Sequence, residues 1–209
     1  VYKRQEHRRR LWNARISADG NRVAVLYRET VINVYDRHSG KRLRHFGDYQ
    51  DPVRVMGRTS DLDLSADGSR VVGYYSDIRQ AWNVETGEKL TPPSDWGHYH
   101  LAPDGTLVIV SKQTARLWTV DEGKYTGTLS DQPHWIGEVA FSPDGKLMAT
   151  GRRWGTNDIA IWDLATRKLV RVLRGTRGEV SALCFSPDGR KLYASDSSTR
   201  TLVWELSNE

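Results

Sequence analysis

His98 and His100 are the residues best spaced to do chemistry, because an i, i+2 pair on a strand points to one face and can begin a metal site. A third ligand is not evident, although Asp95 and His134 are of the right types, and a polar loop leading into a strand accounts for all four without a metal. Ser, His and Asp are plentiful, but turns recruit the same residues, so a triad does not follow from their presence. The sequence has no Gly-rich phosphate loop ending in Gly-Lys-Ser/Thr, no Gly-x-Ser-x-Gly elbow, no Cys-x-x-Cys pair and no His-Glu-x-x-His. Cys184, the single cysteine, excludes an internal disulfide, and between Leu183 and Phe185 it reads as a small core residue. No catalytic residue, metal site or cofactor is assigned. The chemistry that remains is recognition, for which Trp and Arg are the strongest residue types.

The elements that must position such residues are written five times. Ser17-Ala18-Asp19-Gly20, Ser65-Ala66-Asp67-Gly68, Ala102-Pro103-Asp104-Gly105, Ser142-Pro143-Asp144-Gly145 and Ser186-Pro187-Asp188-Gly189 start 48, 37, 40 and 44 residues apart, a period typical of one small sheet per unit. An alternating apolar run enters each turn, Asp-Gly supplies the positive φ of a tight hairpin, and a second run leaves it. A third run ends in an aromatic and a polar residue: Tyr35-Asp36, Trp82-Asn83, Trp118-Thr119, Trp162-Asp163 and Trp204-Glu205. In four units a further turn opens a fourth strand. The expected units are approximately 6–46, 53–91, 95–129, 134–173 and 178–206.

Ser-Pro-Asp-Gly followed by an aromatic-Asp pair resembles the WD-repeat β-propeller family, from about His7 to Leu206. The resemblance implies an all-β fold of four-stranded antiparallel blades, about five present, with an incomplete seven-bladed ring as the expected whole and a closed five-bladed ring as the alternative. It also implies that Trp82, Trp118, Trp162 and Trp204 wedge between blades and need acceptors for their indole N–H groups. The family's tying set of His, Asp and Trp is broken in every unit. His7 and Asp77 keep single members of it, while Gln132 and Thr176 stand at His places and Glu29 and Ser198 at Asp places. Apolar packing and sheet pairing must therefore carry the blades, with water or backbone carbonyls serving some indoles.

Loops before the first strand and between the second and third share the face that resembles the family's partner surface. Unit four is longer there: Ser142 to Asp163 spans 22 residues, against 20 for Ser17 to Asp36, and the extension holds Arg152-Arg153-Trp154-Gly155. Arg152, Arg153 and Trp154 are the nominated partner contacts, with Trp135, Trp96, Trp12 and Arg177 as neighbours in kind; the bland alternative is that these indoles plug gaps between blades. The expected function is a non-catalytic protein-interaction scaffold or sensor module binding a protein or peptide. The alternative is a regulatory or substrate-gating propeller of a kinase, protease or hydrolase whose catalytic domain lies upstream.

Composition agrees with a globular domain: 209 residues, 38% apolar and 27% charged, with no run approaching a membrane span. The formal charge is +5, but clusters such as Arg8-Arg9-Arg10, Lys41-Arg42-Arg44 and Arg152-Arg153 read as solvated turns and guarded edges, so nucleic acid is not the expected partner. Val1-Tyr2-Lys3-Arg4-Gln5 resembles the read-through of a sequencing-library adapter, which makes a metagenome-derived fragment lacking about two upstream blades the expectation. Cytoplasm is the default location for a chain without disulfides or an export signal.

Overall fold

The computed structural model describes residues 11–27, 31–47, 60–75, 78–90, 97–129, 135–152 and 158–206. All regular structure in them is β, and among the described residues no helix is long and apolar enough to cross a membrane. The strands form five antiparallel sheets in two compact units, divided between Pro92 and Pro93.

The first unit holds two sheets. One runs β1 (Leu11–Ile16), β2 (Arg22–Tyr27), β3 (Ile32–Asp36) and β4 (Arg42–Phe46), the other β5 (Ser60–Leu64), β6 (Arg70–Tyr75), β7 (Ile78–Asn83) and β8 (Lys89–Leu90). Alternation sends Ala24, Leu26, Ile32 and Val34 from the first sheet, and Leu62, Leu64, Val71 and Trp82 from the second, into one shared core. Phe46 stacks on Trp82 with ring centroids 5.1 Å apart. Arg22 fastens the seam, donating to the Gly68 carbonyl and pairing with Glu85.

In the second unit the third sheet is β9 (His98–Leu101), β10 (Thr106–Ser111), β11 (Thr114–Thr119) and β12 (Lys124–Leu129). The fourth is β13 (Ile136–Phe141), β14 (Leu147–Arg152), β15 (Ile159–Asp163) and β16 (Lys168–Leu173), and the fifth is β17 (Val180–Phe185), β18 (Lys191–Asp196) and β19 (Thr201–Glu205). One face of the fourth sheet packs on the third through Met148, Trp162 and Ile136 against Val108, Ala115 and Leu129. Its other face packs on the fifth through Ala149, Ile159 and Ile161 against Val180, Leu192 and Ala194.

The repeated turns owe their uniformity to side-chain hydrogen bonding. In four of them the Ser hydroxyl donates to the Asp two residues on and accepts the backbone N–H five residues on, as in Ser142 to Asp144 at 2.6 Å and Leu147 to Ser142 at 2.9 Å. The same pairs recur at Ser17, Ser65 and Ser186. Each turn glycine then has φ between 68° and 84°, where a Cβ is disfavoured. In three sheets the polar residue after the aromatic has a matching role, for Asp36, Asn83 and Asp163 accept the N–H groups of Ser39, Thr86 and Thr166 and so close the turn into the fourth strand.

Cys184 corrects one expectation. It is exposed, because alternation turns Leu183 and Phe185 toward the fourth sheet and the residue between them to the opposite face.

Candidate functional site

Antiparallel register gathers one end of the fourth sheet into a cluster. Ile136 pairs with Arg152, Gly151 with Ile159, and Ile159 with Leu173, so Trp135, Arg152, Asp158 and Arg174 all come to the same end. A cavity of about 270 Å³ opens among them. Ile136, Ala160, Leu169 and Val172 make it apolar, and Arg152, Asp158 and Arg174 give it a polar rim beside the Trp135 indole. Trp135 stands 49% exposed at that rim. Arg152 is the reverse, only 7% exposed, and burial pulls its guanidinium below the usual arginine range while the Asp158 carboxylate opposes that shift. A buried cation against an acid is a fixed polar feature in an otherwise greasy hollow.

Two hydrogen bonds hold this end, one between backbones and one between side chains. The Ile136 N–H donates 2.8 Å to the carbonyl of Lys112, which sits in the left-handed region (φ 53°) in the two-residue turn between β10 and β11. Deeper in, the Trp162 indole N–H donates 3.1 Å to the Thr150 hydroxyl.

The nominated residues fare differently. Arg152 and Trp135 line the cavity together. Arg177 is exposed at the corresponding end of the fifth sheet, its backbone N–H donating 2.9 Å to Asp196. Trp12 lies in the first unit, exposed at a bulge in β1 between the paired residues Leu11 and Asn13. Arg153, Trp154, Trp96, His7 and Asp77 fall outside the described residues, as do Asp95, His134, Gln132 and Glu29. His98 and His100 share one face of β9, flanking buried Tyr99, and among the described residues no three His, Cys, Asp or Glu side chains group to hold a metal ion.

The aromatic positions are also uneven. Tyr35 accepts from the Asn33 amide at 3.1 Å, and Trp82 and Trp162 are buried. Trp204 donates to the Arg174 carbonyl at 3.4 Å, the backbone acceptor expected where the tying set is broken. Trp118, packed edge-on against Tyr125, has a buried indole N–H with no protein acceptor among the described residues.

Sequence reading missed Asp196. At the end of β18 its buried carboxylate accepts from the Arg177 N–H, the Ser198 N–H and hydroxyl and the Arg200 guanidinium, which together hold it far below the usual carboxylate range. The place assigned to Ser198 by spacing is filled functionally two residues earlier, and the signal was an acid followed by Ser-Ser-Thr-Arg in a tight loop.

The opposite end of the sheets holds a wider depression of about 750 Å³ between the Pro143 and Pro187 turns. Its Asp144 and Asp188 carboxylates are already engaged by Ser142 and Ser186 within those turns.

Comparison with known proteins agrees with the strand pattern. The family model described as WD domain, G-beta repeat matches residues 123–163 and 167–205. Each match begins with the fourth strand of one sheet and ends with the third strand of the next. The chain is 31% identical over 115 residues to WD repeat and SOCS box-containing protein 1 of Takifugu rubripes, covering 54% of this chain and 27% of that protein. It is 23% identical over 188 residues to Transducin beta-like protein 3 of Rattus norvegicus, covering 85% of this chain and 22% of that one. A 95-residue stretch is 35% identical to Nuclear distribution protein PAC1-2 of Uncinocarpus reesii, covering 42% of this chain and 20% of that protein. The chain thus spans about a quarter of the length of these curated relatives.

Proposed function

Because the chain belongs to the WD-repeat family, we propose that it is a non-catalytic platform holding a protein or peptide partner at the loop end of its sheets. WD repeats in general mediate protein–protein interaction. The observation that supports this reading is Trp135, half exposed just before β13 at the rim of a hollow containing a buried guanidinium. An exposed indole beside an apolar cavity is the kind of anchor that dominates interfaces, since it offers large rigid area at low entropic cost. Rigid sheets hold the anchor still, and the variable connections around it supply specificity.

Affinity capture with three proteins tests the reading. Wild type and Lys124→Ala, a change on an exposed strand of the third sheet, should retain the same partner. Trp135→Ala should retain it about tenfold less well, the loss typical of a central interface residue. Equal retention by all three removes the loop end of the fourth sheet from consideration.

A further inference from the structure

Strand β16 exposes more large apolar side chains than the fourth strands of the other sheets, β4, β8 and β12. It is hydrogen-bonded on one side only, to β15, so among the described residues its other edge presents backbone donors and acceptors to solvent. Sheets usually blunt such an edge, and here β8 has only two residues while β4 carries Arg42, Arg44 and His45 among its five. By contrast, β16 exposes Leu169 (46%), Val170 (59%) and Val172 (41%).

A bulge makes part of this apolar surface useful. Trp162 pairs with Leu169 and Ile161 with Arg171, so Val170 is the extra residue. Ala160 then pairs with Val172, and Leu169 and Val172, three apart in sequence, emerge on one face, where both line the 270 Å³ cavity. Charge surrounds the strand: Arg167, Lys168, Arg171, Arg174 and Arg177 are all exposed, and no acidic residue lies between the first and last of them. Five positive charges in this stretch equal the formal net charge of the whole chain, +5. Arg171 is partly committed, reaching the Glu205 carbonyl, which leaves Lys168 and Arg174 marking the two ends of the strand.

We propose that β16 and the cavity beside it dock an extended acidic segment of a partner protein. The segment adds to the fourth sheet as a fifth strand, seats one apolar side chain between Leu169 and Val172, and sets its carboxylates toward Lys168 and Arg174. This rests on the platform reading above and names the kind of partner. A nucleic acid would use the cations, but it has no use for an open sheet edge or an apolar hollow, whereas strand addition uses all three.

The test is selection from a displayed library of random dodecapeptides against the full chain, followed by anisotropy titration of the enriched peptide. The expected winners carry one large apolar residue flanked by Asp or Glu. Val172→Asp and Arg174→Glu, both exposed positions whose variants can be checked for native circular dichroism, should each weaken binding about tenfold or more. N-methylating alternate residues of the peptide should abolish binding in one phase and spare it in the other, since a strand presents one edge on every second residue. No enrichment, indifference to both methylation phases, or tighter and steeply salt-dependent binding of oligouridylate overturns the proposal. Loss of partner capture by Trp135→Ala alongside any of those results leaves the platform standing and strand addition refuted.

Discussion

The third and fourth sheets lie side by side in one compact unit and follow the same plan, down to a bulge in the fourth strand, yet they differ at several points that bear on recognition. Between β10 and β11 the third sheet has a two-residue turn, whereas the fourth has six residues between Arg152 and Ile159. In the third sheet Tyr125 covers the indole of Trp118, whereas in the fourth the equivalent place is taken by Leu169, at the edge of the cavity. Indole satisfaction differs for a reason visible in the register. Trp162 faces Met148, and two residues on stands Thr150, whose hydroxyl accepts the N–H; Trp118 faces Leu107, and two residues on stands Ile109, which has nothing to offer. Even the Asp-Gly turns part company, because Ala102 lacks the hydroxyl of Ser142 and its N–H closes on Thr106, one residue sooner than Ser142 closes on Leu147. A sheet of minimal connections has little room for a site, and a hollow appears where the plan is enlarged.

The comparison can be broken most forcefully at the two indoles. Trp162 is 2% exposed, so Trp162→Ala should lower unfolding stability by about 3–5 kcal/mol, and Trp118→Ala, at a half-buried position, by clearly less; urea denaturation of both checks the ranking. Thr150→Val should make the fourth sheet resemble the third by orphaning the Trp162 N–H, at about 1–3 kcal/mol in the same assay.

Removing the turn hydroxyl is milder. Ser142→Ala should cost about 1 kcal/mol, and it should also soften the acid response of the protein. The Ser142 hydroxyl and the Lys146 N–H hold the Asp144 carboxyl below its ordinary value, and Ser186 and Ser17 do likewise for Asp188 and Asp19. A depressed folded-state pKa gives stability that is present above the unfolded value of about 3.9 and lost as pH falls through the folded value. The wild type should therefore lose stability progressively below about pH 4, and Ser142→Ala should lose less over that window, as thermal melts at stepped pH will show. Smallest of all, Lys112→Gly should stabilise by about 0.5–1 kcal/mol, because it relieves a left-handed non-glycine residue while keeping the carbonyl that receives the Ile136 N–H.

Much of the fold was legible because its signals are local. Asp-Gly with positive φ and an aromatic-polar ending, joined in four units by a hydroxyl two residues before the Asp, each act within a few residues, so five copies in register define five sheets. The exposed side of Cys184 was misjudged because its burial depends on which face a neighbouring sheet covers, and flanking apolar residues in fact imply that the middle one points away. Asp196 escaped notice because its partners, Arg177 and Arg200, come from two different loops joined only by strand pairing. The cavity beside Trp135 needed the bulge in β16, and nothing in Lys168-Leu169-Val170-Arg171-Val172 announces which residue will be the extra one. Arg152 was nominated for the longer connection of unit four and Trp135 for its residue type, and register is what brings them to one rim.

The offset between repeat and sheet has a consequence for how such chains can be recombined. Residues 123–163 form one sequence repeat, but their first strand is hydrogen-bonded to the preceding β-layer and their last three build the next. A crossover at the seam between two copies therefore never delivers a self-contained layer: it produces a hybrid whose outermost strand descends from one parent and whose remaining strands descend from the other. Compatibility across the β15–β16 pairing, and not only among the greasy flanks, decides which shuffled arrays will fold.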